Sequence, residues 1–353
     1  MSRSATIAIL MGGSLSAQWL NHPTPGIPRT SDGKPNLSAP APRTPDGKPD
    51  LSGIWGLNPG GYLANIAADL PPGDIQPSAD ALYRQRMEDL GRDDPSLRCL
   101  PNGPRFNLVP FLMVKVIQTP ALMAILSEDL AYRQIFLDGR TLPVDPNPTF
   151  MGYSVGHWER ETLVVESTGF NDRTWLDFGG HPHSEALQIT ERYRRRDFGH
   201  MEIQQTLEDS KLYAKPWTVV INASLVPDTE LVEYVCAENE KDRQHLVGKA
   251  SDDNKYEVKV VLEILVNYIG MYEFSFPENP TNLIHYNVTL SGGDLFFDTE
   301  GKDKWRLIPL SETAFSLMGD RLEFRKDDRG VVTHLVFVAA EGDLKAVRKP
   351  EGK

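Results

Sequence analysis

Between Tyr153 and Val226 the chain alternates apolar and polar residues, and short turn-forming clusters interrupt the alternation at regular intervals. A period of two sends successive side chains to opposite faces of an extended strand, so this segment reads as hairpins with one buried face. Tyr153 to Trp158 and Thr162 to Thr168 flank Glu159-Arg160-Glu161 as one hairpin. Leu187 to Arg195 and Met201 to Leu207 flank Asp197-Phe198-Gly199-His200 as a second, and Trp217 to Val226 adds a further strand. In the second hairpin Leu187, Ile189 and Tyr193 share a core face, opposite Gln188, Thr190, Arg192, Arg194 and Arg196. The basic run Arg192, Arg194, Arg195 and Arg196 is flanked by Glu191, Asp197 and Glu202 and reads as a solvated strand face.

Upstream, Phe111 to Gln118, Leu122 to Ser127 and Tyr132 to Leu137 predict neighbours in an antiparallel meander, preceded by one helix between Ser78 and Gly91. Consecutive hairpins with so little helix predict a mainly β fold: a lipocalin-like antiparallel β-barrel, or a sandwich, over residues 51–245. A barrel of eight or more strands holds a small ligand inside, whereas a sandwich keeps its sites on loops. With 353 residues the chain exceeds one ordinary core, and a polar tract from Ala237 to Lys255 marks the division. The expected linker is 246–262. Short strands from 263–350, punctuated by Ser291-Gly292-Gly293, Gly301-Lys302 and Asp328-Arg329-Gly330, predict a smaller β-barrel-like module.

The N-terminus carries Arg3, an apolar stretch from Ala5 to Met11 and small residues up to Ser16-Ala17. This is the layout of a signal peptide over 1–17, with an apolar tail as the alternative; it predicts a periplasmic or secreted protein. Residues 18–50 form a Pro/Gly-rich arm containing a repeat, Arg29 to Ser38 echoed by Arg43 to Ser52, read as an extended arm or a disordered leader. Cys99 and Cys236 are the two cysteines. In an oxidising compartment they predict one disulfide closing a long loop; two buried thiols are the alternative. The formal charge of −12 argues against a nucleic-acid partner, and no apolar run approaches the ~18 residues of a membrane span.

Two resemblances add to this. Tyr268-Ile269-Gly270, Gly293-Asp294-Leu295-Phe296, Leu307 to Thr313 and Gly330 to Leu335 resemble the small lipocalin-like domain of unknown function appended to serine beta-lactamase-like proteins. Asp46 to Trp55, Met151 to Trp158 and Gly180 to Leu187 are similar to segments of uncharacterised secreted proteins of soil bacteria of the acidobacterial type. The first implies a fold and the second an export route; neither implies a chemistry, and no serine-hydrolase, nucleotide or nicotinamide site is expected.

Candidate chemistry concentrates between Phe170 and Tyr193. His181 or His183 is placed as general base, Asp172 or Asp177 as its orienting partner, Glu185 or Tyr193 as acid and Arg173 as anion stabiliser. Trp158, Trp175, Tyr153 and His157 are the candidate ligand-lining residues. No cofactor or metal is expected; His181 and His183 are the weak metal-ligand alternative, since Glu185 follows too soon and Glu191 too late to complete a set. The leading reading is an exported, cofactor-free hydrolase, lyase or isomerase acting on a small organic or glycosidic molecule. A non-catalytic lipocalin-like binding protein and a structural envelope protein are the alternatives.

Overall fold

The computed structural model describes residues 23–71, 73–89, 91–236, 258–276, 279–299, 304–317, 320–338 and 343–350. The expected signal peptide, 1–17, and residues 246–257 of the expected linker lie outside them.

Nine strands close into a barrel: β1 (Gly53–Asn58), β2 (Met113–Gln118), β3 (Leu122–Ser127), β4 (Tyr132–Phe136), β5 (Tyr153–Glu159), β6 (Thr162–Thr168), β7 (Gln188–Arg195), β8 (His200–Glu208) and β9 (Trp217–Leu225). Each pairs with the next and β9 returns to β1, so the barrel stands and the sandwich does not. A ring with an odd number of strands cannot alternate direction all the way round. The mismatch falls between β4 and β5, which run parallel and are joined only at Ile135 opposite Ser154 and Phe136 opposite Val155. Here the structure departs from the all-antiparallel expectation. Gly156 serves the seam, because a Cβ there would stand 2.8 Å from the Leu137 side chain and 3.1 Å from Ile135.

The interior follows the strand alternation. Leu163, Val165, Ile189, Ile203, Leu207, Val219 and Ile221 point inward and are buried, forming one packed core with Trp55, Val116, Met123 and Ile135. Each such side chain contributes roughly 1.5–3 kcal/mol on burial.

The arm closes one end of this barrel. Its two repeats fold into the same tight loop: Arg29 bridges Pro35 and Arg43 bridges Pro49, with Gly33 and Gly47 at positive φ in the turns. The repeated arginines reach barrel acids, Arg29 to Asp228 at 2.6 Å and Arg43 to Glu161 at 2.7 Å. Between the loops, Leu37 and Ala39 carbonyls accept from the Gly199 and Phe198 N–H groups of the β7–β8 turn. The described arm, 23–50, is therefore an ordered lid rather than a leader. Arg195 corrects the reading of the basic run: it is buried, donates to the carbonyls of Asp50, Ser52, Asp197 and Phe198, and lies over the Trp55 ring.

The opposite end is capped by the described residues between 59 and 112, which include helix α1 (Pro77–Glu88), together with the β6–β7 and β8–β9 loops. Pro77 opens α1 where its missing N–H is harmless, and Arg86 sits in the last turn. The Phe178 and Gly179 N–H groups donate to Leu63 and Ala64, and the Trp217 indole donates to the Ile66 carbonyl. Cys99 and Cys236 form a disulfide, Cα atoms 5.6 Å apart, that straps the chain following β9 to this cap.

The remaining strands, β10 (Gly270–Phe276), β11 (Asn279–Ser291), β12 (Asp294–Thr299), β13 (Trp305–Arg306), β14 (Ile308–Pro309), β15 (Ala314–Leu317), β16 (Asp320–Lys326), β17 (Val332–Val338) and β18 (Leu344–Arg348), form a second sheet. Its order places β13 and β14 at opposite edges although only Leu307 separates them in sequence. The sheet thus curls until its edges meet at Leu307. Tyr268 stacks on Phe324 at 4.2 Å in its core, beside Phe297 and Phe315. Val260, Ile264 and Leu265 pack on the same core, so the module begins within the segment expected to be linker.

Replacing Cys99 and Cys236 together with alanine is expected to lower barrel stability by about 2–4 kcal/mol, the usual worth of a disulfide closing a long loop. Urea unfolding checks this; an unchanged midpoint contradicts it.

Candidate functional site

The loop in which the sequence concentrates acid–base groups is part of the cap. Asp177 Oδ1 accepts from the N–H groups of Gly180 (2.8 Å) and His181 (3.0 Å), and its Oδ2 accepts from Ile66 N–H (2.8 Å) and faces His181 Nδ1 at 2.6 Å. His181 is 1% exposed and stacks on Tyr83 with centroids 3.7 Å apart. His183 Nε2 meets the Thr174 hydroxyl at 2.8 Å and its Nδ1 faces the Ser184 carbonyl at 3.3 Å. With Nδ1 donating to that carbonyl, Nε2 accepts the hydroxyl proton. Burial pushes this imidazole down to about 4. Trp175 is buried beneath the Arg86 guanidinium, 4.8 Å from its carbon. Asp172, Arg173 and Glu185 are exposed on the same loop.

The loop thus brings Asp177 and His181 together and separates His183, Asp172, Arg173 and Glu185 from them. The two imidazoles take different partners, and among the described residues no group of three His, Cys, Asp or Glu side chains is arranged to hold a metal. The arrangement fastens a loop whose own backbone donors it satisfies.

Tyr193 lies elsewhere, inside the barrel, in a polar cluster that the sequence reading did not assemble. Arg133 of β4 makes a two-pronged ion pair with Glu191 of β7, its Nη1 2.9 Å from Oε1 and its Nη2 on Oε2. Arg133 also donates to Ser154 (3.2 Å) and Ser167 (2.8 Å), whose hydroxyls meet each other at 2.8 Å. Tyr193 donates to Glu191 at 3.0 Å, and Asn107 donates to Glu191 and Gln205. Burial opposes the Arg133 charge, yet the facing Glu191 carries the guanidinium above its ordinary value; burial, with Glu191 adding, raises the Tyr193 phenol. The available signal was parity, since Arg133 shares the inward face with Ile135, and Glu191 shares it with Ile189 and Tyr193.

This cluster reaches a cleft at the seam. Since β4 and β5 are paired at only two positions, they part toward the cap and leave a cavity of about 440 Å³. Tyr132, Tyr153, Phe136, Phe150 and Met151 wall it, and Arg133 and Ser154 line its polar side. Of the four aromatic and imidazole residues expected to line a ligand, Tyr153 borders this cleft. Trp158 is half-buried against the barrel core, Trp175 is in the cap, and His157 is exposed 3.5 Å from Glu159. His181 and His183 do not line this cleft.

The chain does contain a Gly-x-Ser-x-Gly string, Gly152 to Gly156, which bears on the exclusion of serine-hydrolase chemistry. A nucleophile elbow sets its serine on an exposed strand-to-helix turn beside a histidine. Ser154 instead lies within β5, is 1% exposed and is bonded to Arg133 and Ser167.

No protein-family model matches the chain, and no curated protein matches it. Among solved structures, a mutant of the fluorescent protein UnaG aligns with 51% of this chain and 97% of its own, at 15% identity and a TM-score of 0.23. The fold assignment rests on strand pairing and not on that likeness: this is a mainly β protein of two barrel-like sheets. What distinguishes it is a closed barrel with a cleft at its one parallel seam.

Arg133→Met is expected to destabilise the barrel by about 3–5 kcal/mol, because Glu191 is left buried and unpaired. Adding Glu191→Leu is expected to recover much of the loss in urea unfolding; a double variant as weak as the single contradicts this. His183 sets a pH dependence. Its pKa is about 4 in the fold and about 6.5 unfolded, so the unfolded chain takes up the proton first as pH falls. This contribution to stability is intact above pH 6.5 and falls by about 2 kcal/mol between pH 7.5 and pH 5. His183→Gln is expected to flatten that slope by the same amount, and parallel slopes for the two proteins contradict the assignment.

Proposed function

We propose that this is an exported binding protein that holds an uncharged, largely apolar small molecule in the seam cleft of the larger barrel. The observation that carries the reading is the cleft itself: a cavity of about 440 Å³ with aromatic walls and a few polar groups on one side. That size and composition suit a small organic ligand. Tyr132 is 64% exposed and Tyr153 36% exposed, so both rings are available to a ligand without disturbing the core. The polar side favours neutral molecules. Arg133 is already matched by Glu191 in two-pronged geometry, so an anion has to compete with a carboxylate built into the barrel. A neutral ligand needs only a polar group toward Gln134, which lines the cleft and is exposed.

The hydrolase, lyase or isomerase reading has less support, because the two histidines proposed as base are buried in the cap. Export is supported by the signal-like N-terminus and by the Cys99–Cys236 disulfide, a bond that persists in oxidising compartments.

Titration with N-phenylnaphthylamine, an uncharged dye, and with its sulfonated analogue anilinonaphthalenesulfonate tests the reading. Working in about 0.5 M NaCl screens the general repulsion of anions by the net charge of −12. The neutral dye is expected to bind saturably at one site, roughly ten-fold tighter than the sulfonate, and to weaken about ten-fold in Tyr132→Ala and Tyr153→Ala, in line with aromatic anchors. Absence of saturable binding, or binding indifferent to both substitutions, contradicts it.

A further inference from the structure

Leu130 stands at the tip of the β3–β4 turn with φ of 63° and is 60% exposed. A left-handed backbone is unfavourable for a leucine, and glycine or asparagine is the ordinary occupant of such a turn. Burial does not offset the strain, since most of the side chain faces outward. The turn is firmly held: Leu130 N–H donates to the Ser127 carbonyl at 3.1 Å, and Asp129 accepts from Ala131 N–H and from the Asn102 amide. An outlier over-determined by its surroundings and presented to solvent points to a contact made by that side chain.

What lies on either side of Leu130 identifies the contact. On one side is the seam cleft. On the other is a second cavity of about 300 Å³, walled by Phe111, Phe178, Tyr234 and the Cys99–Cys236 disulfide. Pro101, Leu130 and Ala131 line both. The walls of the second cavity are held in place: Tyr234 N–H donates to Glu128 O at 2.6 Å, and Phe178 meets the Phe111 ring at 5.7 Å and the Arg105 guanidinium at 4.4 Å. Arg105 is itself paired with Asp94, and the Asp129 carboxylate lining this cavity adds a further bias against anions.

We propose that the two cavities are lobes of one site, that Leu130 is the ridge a ligand lies across, and that the ligand is an elongated, uncharged aromatic or polyunsaturated molecule reaching from Tyr153 to Phe111. This rests on the seam-cleft reading and adds to it a ligand shape and a specificity-determining residue. The strain at Leu130 is then the consequence of placing a large apolar side chain where only a turn is available.

Two uncharged dyes of different shape test it: N-phenylnaphthylamine, which is compact, and diphenylhexatriene, which is rod-like. Phe111 is 55% exposed and lines only the second of the two cavities, so Phe111→Ala leaves the core intact. That variant is expected to weaken diphenylhexatriene at least ten-fold while N-phenylnaphthylamine changes less than two-fold. Leu130→Gly is expected to raise the urea midpoint by relieving the turn, yet to weaken the rod-like dye about ten-fold. If both variants bind diphenylhexatriene like the wild type, or if Phe111→Ala weakens both dyes equally, the two-lobed site is overturned while the Tyr132 and Tyr153 responses keep the seam cleft. If neither dye binds the wild type, both readings fall.

Discussion

Nine strands cannot close a ring with every neighbour antiparallel, and much of the larger domain follows from where the exception falls. It falls between β4 and β5, where two residue pairs join strands that elsewhere in the barrel share longer ladders. A parallel neighbour requires the chain to travel back along the barrel before re-entering it, which the segment 137–152 does. Short pairing and a long return leave the seam parted near the cap. Arg133 and Ser154, one from each side of the parting, are joined by their own hydrogen bond, and Glu191 across the barrel holds Arg133 in place.

The rest of the barrel leaves little room for a ligand at its centre. Aliphatic side chains from all around the ring pack into one core, the arm covers one end with Leu51 buried beneath it, and the cap covers the other. The buried ion pair is costly to desolvate and is satisfied only because both serines, Tyr193 and Asn107 complete its hydrogen bonds. Its Coulomb attraction holds β4 against β7 across the barrel, at the level where β4 has lost its lateral partner. The cleft outside it therefore has a rigid wall on a seam that is otherwise loosely joined.

The hairpins were legible in sequence because the alternation at Ile189, Tyr193, Ile203 and Leu207 is local and has a period of two. Leu122–Ser127 and Thr162–Thr168 match the strands read from it. The seam was not legible, since nothing local to Ile135 or Ser154 records that they pair across the return segment. Arg195 and Glu191 show a sharper conflict. Their parity pointed inward while their charge argued for solvent, and the partners that settle it, backbone carbonyls near Asp50 for one and Arg133 for the other, come from distant parts of the chain. The loop from Asn171 to Glu185 was ambiguous for the same reason, because a polar composition describes a surface site and a loop fastened from within by Asp177 and His181 equally well. Tyr153 was singled out as an aromatic beside a strand, but its place at the cleft depends on that seam.

The central claim is that ligands enter at the seam and not at the barrel axis. Hydrogen–deuterium exchange of the whole chain with and without N-phenylnaphthylamine tests it most directly. The account predicts slowed exchange confined to 130–136 and 149–154, on the two sides of the parting, with β8, β9 and the second sheet unchanged. Protection centred on β8 and β9, or in the second sheet, would contradict it.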